Sequence, residues 1–182
     1  MGATVGQIGK ILGLRVVGIA GGPAKCANVV DTLGFDTCID CKADGFPCAL
    51  KAAVRDGIDN FFENVCDAVV DAVLPNLNPK ARIPVCGLIS QYNATALPER
   101  PDRMNLPLGT ILRKRMTLRG FIVFDDFGHL YPDFAKQMGE WVRAGKVQYR
   151  KEMIDGLERA PAAFVGLLRG EAFGKRVVKL AV

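Results

Sequence analysis

The chain has 182 residues, 49% of them hydrophobic, which is ample for a packed domain or a domain with an appendage and excludes a disordered chain. Its net charge of +5 comes from 24 basic residues scattered among 19 acidic ones, with Arg113-Lys114-Arg115 as the tight basic run, so the charge pattern does not favour nucleic acid. No apolar run approaches the ~20 residues of a membrane span and no signal-peptide pattern opens the chain, so the expectation is no membrane and a cytoplasmic location.

In chain order, Gly2-Ala-Thr-Val-Gly-Gln-Ile-Gly-Lys-Ile-Leu-Gly13 reads as a Gly-rich helix start, and Leu14–Ala20 as a buried strand ending in Gly21-Gly22. A helix from about Ala24 to Leu33 and a strand Thr37–Lys42 follow. Pro47–Asp56 is helical, Ile58–Val65 a strand, and Ala68–Leu77 an amphipathic helix closed by Asn78-Pro79. Arg82–Leu88 is another strand, and Leu106–Lys114 a helix feeding the strand Thr117–Phe124. The loop Ser90–Asn105, with Pro98 and Pro101, is long enough to serve a function rather than merely connect. This alternation of strand and helix is the pattern of a parallel sheet covered on both faces.

Beyond Asp125 the pattern changes. Pro132–Ala144 is a helix with Phe134, Met138, Trp141 and Val142 on one face, stopped by Gly145. Lys146–Met153 alternates like an exposed strand, Pro161 starts a helix through Leu168, and Lys175–Val182 is a final β-branched strand. These last elements have no evident place in the parallel sheet. No internal repeat, low-complexity tract or flexible linker is visible.

The first twenty-five residues read as the end of a nucleotide-binding βαβ unit without its opening strand. In such folds the pyrophosphate sits on a helix N-terminus, and the end of the second strand meets the adenosine ribose. A site for NAD places Asp or Glu there. This chain places Gly21, Gly22 and then Lys25, which argues for a ribose 2′-phosphate and hence NADPH, against the alternative of Lys25 as a solvated charge. Of the six cysteines, Cys38-x-x-Cys41 with Cys48 supplies three thiolates without a second close pair, and His129 is distant in sequence. The metal reading therefore stands against a plainer one of reduced, mostly buried thiols.

Gly2-Ala-Thr-Val-Gly-Gln-Ile-Gly-Lys10, Val16-Val-Gly-Ile-Ala-Gly-Gly-Pro-Ala-Lys-Cys26, Leu33-Gly-Phe-Asp36, Gly57-Ile-Asp59, Glu63-Asn-Val65, Ala81-Arg-Ile-Pro-Val-Cys-Gly-Leu-Ile-Ser-Gln-Tyr-Asn93, Gly120-Phe-Ile-Val123, Asp155-Gly-Leu-Glu158 and Phe173-Gly-Lys175 together resemble the zinc-independent medium-chain dehydrogenase/reductase family. Within it they are similar to the curcumin reductase, prostaglandin reductase and leukotriene B4 12-hydroxydehydrogenase group. The resemblance implies an NADPH-dependent reductase of the C=C bond of α,β-unsaturated ketones and aldehydes. It also implies an α/β, Rossmann-type doubly wound parallel sheet lacking its first strand, over residues 1–145. Residues 146–182 would be C-terminal helices and strands that in the family return to a GroES-like catalytic domain, which this chain lacks. The expectation is a chain of poor stability, or one complemented by a partner fragment.

Carried over residue by residue, the resemblance assigns Gly2 to the last glycine of the pyrophosphate loop and Lys25 to the 2′-phosphate. The family uses Tyr or His near Cys41; here Lys42 is the nearest charge. Asn64 matches a cofactor-contacting asparagine, the alternative being a turn or cap residue. Cys86 through Tyr92, with Gly87 and Ser90, match the loop around the nicotinamide half. Phe121, Ile122 and Val123 match the backbone edge that reads the carboxamide, although by pattern they are core strand. Two departures weaken the match, since Cys66-Asp67 replaces Gly-Gly and Ala172 replaces Asn. Tyr92 is the proton-delivery candidate, against a role in packing, and His129 is a surface or packing histidine. The resemblance further implies a homodimer through Leu118–Phe124. A catalytically inactive nucleotide-binding remnant is the competing reading, and a basic nucleic-acid-binding domain a third.

Overall fold

The computed structural model describes residues 1–66, 68–96 and 104–180. Helix α1 (Gly2–Ile11) ends where the Gly13 N–H bonds to Lys10 O and the Leu14 N–H returns to Gly9 O, with Gly13 at φ 76°. This paired cap satisfies the last carbonyls and releases the chain into strand β1 (Val17–Ala20). Helix α2 (Pro23–Asp31) begins directly after Gly22, with Pro23 in the first turn, where a missing N–H leaves no bond unmade. Strand β2 (Thr37–Asp40), helix α3 (Phe46–Ala53), strand β3 (Ile58–Asn60), helix α4 (Ala68–Val73), strand β4 (Leu77–Val85), helix α5 (Asn105–Lys114) and strand β5 (Thr117–Gly120) follow. The chain continues through α6 (Val123–Phe127), α7 (Tyr131–Arg143), β6 (Lys151–Asp155), α8 (Ala160–Leu168) and β7 (Lys175–Lys179).

All paired strands are parallel: β1 with β2, β3 and β5 on either side of β4, and β6 with β7. The first two groups are arranged as the flanks of a doubly wound sheet. One core joins the flanks. Phe46, Leu50 and Val54 of the α3 region, Ala72 and Val73 of α4, and Leu77, Ala81 and Ile83 of β4 are buried together. Val17, Ile19 and Ile39 pack on them from one flank and Ile58 from the other.

The opposite face carries α1 and α2. A Cβ at Gly18 would lie 2.9 Å from Val29 Cγ1, and one at Gly6 would lie 1.8 Å from Phe35 Cζ, so both helices approach through glycine. Buried Gln7 donates to Gln148 O (3.0 Å) and accepts from Gln148 N (2.7 Å), clasping α1 to the segment after α7.

The C-terminal elements, which had no place in the main sheet, make their own β6-α8-β7 unit. Its hinge is Arg176, which donates to both Glu152 oxygens (3.0 and 3.2 Å) and to Ala163 O (2.7 Å). Among the described residues no helix is long and apolar enough to cross a membrane.

Several expected boundaries are corrected. Asn78-Pro79 does not close the helix over 68–77, because a 3₁₀ turn at Leu74–Asn76 ends it and β4 already begins at Leu77. There β3 residues Ile58 and Asn60 face Leu77 and Arg82, so Asn78 to Ala81 form a bulge around Lys80 at φ 65°. The strand expected over 117–124 stops at Gly120, because the Asp126 carboxylate takes the Ile122 N–H (2.9 Å) and starts α6. Phe121 and Ile122 are therefore a connection and Val123 a helix start, not core strand. Lys146–Arg150 is not strand either, since the Gln7 clasp occupies its backbone. Strand β3 is shorter than 58–65, with Glu63 adding an isolated bridge to Val85. The cysteines are free, but five are half-buried and Cys48 is exposed, so they are less buried than expected. Asp67, the 97–103 part of the long loop with Pro98 and Pro101, and the end of the final strand at Val182 lie outside the described residues.

Candidate functional site

Parallel strands end on the same side, so the turns after β1, β3, β4 and β5 gather at one rim, where ligands of open α/β sheets bind. Two clusters form there.

The first surrounds Gly21 and Gly22. Gly22 has φ 102°, which disfavours a side chain, and a Cβ built on it would meet nothing within 4 Å, leaving the backbone open to a ligand. Its N–H donates to Asp40 Oδ1 (2.8 Å), and the Lys42 N–H donates to the same oxygen (2.9 Å). The second bond is an Asx turn, and the pairing of β1 with β2 supplies the first. These two amides, Gly22 first, hold the Asp40 carboxyl below its ordinary value of 3.8. The Asp40 oxygen that faces the turn is thus engaged with backbone and is not presented to a sugar hydroxyl.

Two cations flank the turn. The Lys42 stem crosses Gly21, where a Cβ would lie 2.9 Å from Lys42 Cε. Lys25, in the first turn of α2, donates to Gly170 O (2.6 Å), so a phosphate there would take the ammonium from a neutral carbonyl. Asp40 escaped the sequence reading of Gly21, Gly22, Lys25 and Lys42. The Asp-x-Lys spacing of an Asx turn was the available signal.

The second cluster joins the ends of β3 and β4. A Cβ on Gly87 would lie 3.0 Å from Asn64 Oδ1 and 3.4 Å from the Tyr92 hydroxyl, so Asn64, Gly87 and Tyr92 converge. The Cys86 N–H bonds to Glu63 O (2.8 Å), Ile89 N–H to Asn64 O (3.3 Å) and Ser90 N–H to Val65 O (3.1 Å), lacing the two turns together. Cys86 Sγ is 3.5 Å from Met1 Sδ, which puts Gly2 and the start of α1 beside this cluster.

Glu63 is the residue missed here. It is 4% exposed, and its Oε1 accepts from Val65 N (2.5 Å) and Cys66 N (2.7 Å), while Oε2 is buried without a hydrogen-bond partner. It fixes the turn in which Cys66 keeps φ 73°, a left-handed conformation suited to glycine. Tyr92 is 65% exposed. Phe121, Ile122 and Val123 follow the last β4–β5 pair, Val85 with Gly120, and so adjoin Cys86 at the rim. The Ile122 N–H, however, is already taken by Asp126. Among the described residues no three His, Cys, Asp or Glu side chains are grouped to hold a metal.

The chain is 55% identical over 181 residues to the NADPH-dependent curcumin reductase of Escherichia coli (strain K12), covering 100% of this chain and 52% of that protein. It is 41% identical over 182 residues to the 2-alkenal reductase (NADP(+)-dependent) of Nicotiana tabacum, covering 100% of this chain and 51% of the other. The crystal structure of CurA in complex with NADPH from Vibrio vulnificus matches with a TM-score of 0.95 and 56% identity, over 99% of this chain and 53% of that one. The chain thus spans about half the length of these relatives. A family model described as zinc-binding dehydrogenase matches residues 1–143. The chain belongs to the zinc-binding dehydrogenase family.

Proposed function

We propose that this chain is the cofactor-binding part of an NADPH-dependent reductase acting on the C=C bond of α,β-unsaturated ketones or aldehydes. The observation that carries the reading is the Gly21–Gly22 turn, flanked by Lys25 and Lys42 with the Asp40 carboxylate tied to the backbone. The residues fit a nucleotide with a 2′-phosphate, because the turn offers open backbone and two cations while Asp40 Oδ1 is held by the Gly22 and Lys42 amides. Similarity to a curcumin reductase and a 2-alkenal reductase supports the substrate class.

NADPH, when bound, supplies the hydride. Lys25 and Lys42 would neutralise the 2′-phosphate, and the first amides of α1 at Gly2 would face the pyrophosphate. Asn64, Cys86, Gly87, Ser90 and Tyr92 would hold the nicotinamide half, with Phe121, Ile122 and Val123 alongside. Tyr92 is the residue we assign to proton delivery. The reaction needs no zinc in this reading. Residues 1–145 are the partial Rossmann domain and 146–182 the segment that joins a GroES-like domain. The protein acts in the cytoplasm as a homodimer through the exposed β5 edge and the residues after it.

Titration of NADPH and NADH by nucleotide fluorescence tests this, with Lys25→Ala alongside. The expected result is saturable NADPH binding, preferred over NADH and weakened about tenfold in the variant, as for the loss of one charge-assisted phosphate contact. Equal binding of the two nucleotides would overturn the 2′-phosphate assignment. One observation favours the inactive remnant: Cys66 holds a left-handed φ where the family has glycine. A folded chain that binds neither nucleotide is the outcome expected of a remnant.

A further inference from the structure

The function leaves Cys26 and Cys38 unused, and both lie beneath the phosphate turn. Cys38 lies in β2 opposite Gly18 of β1, and a Cβ on Gly18 would be 3.1 Å from Cys38 Sγ and 2.9 Å from Val29 of α2. The Cys38 thiol therefore points into the layer between the sheet and α2. Cys26, in the first turn of α2, enters the same layer from the other side, with Sγ 3.9 Å from Ala20 O. The two thiols thus lie against the same strand two residues apart, Cys38 at Gly18 and Cys26 at Ala20, and both are half-buried. Cys41 is not an equal partner, because it follows the end of β2 and packs against the core on the far face.

We propose that Cys26 and Cys38 are a reversible dithiol, closed to a disulfide by hydrogen peroxide, that weakens nucleotide binding at the adjoining turn. The second half of this statement rests on the NADPH reading of Gly21, Gly22 and Lys25.

The roles of the two sulfurs differ. Burial, then the neighbouring Cys26, pushes the Cys38 thiol up to about 12, so Cys38 stays protonated and Cys26 is the attacking sulfur. The Cys26 thiolate attacks one peroxide oxygen, the O–O bond breaks, and hydroxide leaves with the electron pair. Cys26 becomes a sulfenic acid. The Cys38 sulfur then attacks the Cys26 sulfur, forming S–S as S–O breaks, and the Cys38 proton leaves with the departing hydroxide as water. Two thiols and one hydrogen peroxide give one disulfide and two waters, with sulfur oxidised and peroxide reduced. A small dithiol reverses the bond by exchange.

Closure alters the site because a disulfide holds its sulfurs at about 2.0 Å, nearer than two unbonded thiols approach. The Cys26 N–H bonds to Gly22 O (3.2 Å), and Lys25 is its chain neighbour, so drawing Cys26 toward β2 shifts both groups that would grip the phosphate. The far side of the turn cannot follow freely, since Asp40 pins the Gly22 N–H to the end of β2.

The reduced full-length chain, treated with equimolar hydrogen peroxide, should lose two hydrogen masses and yield a Cys26–Cys38 cross-linked peptide on non-reducing digestion. NADPH should then bind about tenfold more weakly, with affinity restored by dithiothreitol. Cys26→Ser should neither cross-link nor respond, whereas Cys41→Ser should do both. Cross-links elsewhere, or oxidation of single thiols without a bridge, would overturn the dithiol. A Cys26–Cys38 bridge with unchanged NADPH affinity would overturn its effect on binding. Failure of the reduced chain to bind NADPH would instead sink the nucleotide reading, and the peptide map would still decide whether the pair closes.

Discussion

Asp40 accepts from the Gly22 and Lys42 amides, and these bonds stabilise its charged form. A carboxyl whose folded value is lowered contributes fully above its unfolded value of 3.8, and the contribution is lost as the pH falls through the folded value. The turn should therefore hold its shape across neutral pH and loosen in acid. Asp40→Asn, which keeps the size and removes the charge, should weaken NADPH binding about fivefold at pH 7 in the same titration. Unchanged affinity would show that the turn is shaped without the carboxylate. Gly21, Gly22 and Lys25 were legible from their spacing after an apolar run. Asp40 was not, because it reaches Gly22 only once β1 and β2 pair, across eighteen residues of chain. Glu63 was hidden for another reason: a carboxylate before Asn-Val reads as polar surface, whereas its bonds to the next amides carry it inside. Asn64, Gly87 and Tyr92 were singled out by resemblance alone, since no periodicity relates three turns.

At the scale of elements, helix and strand order followed the hydrophobic alternation, and the errors lay at ends where tertiary bonds overrule local pattern. β1 starts at Val17 rather than Leu14 because the α1 cap uses the Leu14 amide. Asn78-Pro79, a stop signal by composition, is a bulge because β3 pairs on both sides of it; Asn78 there donates to Asp56 O (3.0 Å) and Asp59 Oδ1 (2.9 Å). The glycines of α1 are packing devices. A methyl at Gly6 would sit 1.8 Å from the Phe35 ring, and Phe35 is itself buried, so neither side can yield cheaply. Gly6→Ala should cost about 1–3 kcal/mol, read as a lower denaturation midpoint in urea at unchanged slope. An unaltered midpoint would mean that α1 is not seated on Phe35 in solution.

In the whole molecule, β5 is an edge strand with every residue exposed, and Leu118, Ile122, Val123 and Phe124 are 53, 66, 55 and 71% exposed. An apolar edge of this kind invites a second sheet. Sedimentation velocity should give a dimer for the parent chain and a monomer for Ile122→Lys, whose side chain is too exposed to disturb the core; the same mass for both would remove this edge from the interface. The Gln7–Gln148 clasp joins residues 141 apart in the chain. Closing a loop of that length from a free chain costs roughly 4 kcal/mol in entropy. Two hydrogen bonds between neutral groups return about 1–3 kcal/mol. The clasp therefore cannot gather the chain by itself, and it closes at low cost only after strand pairing has divided the long loop into short ones. Its place is at the end of assembly, where it seals α1 against a molecule already formed.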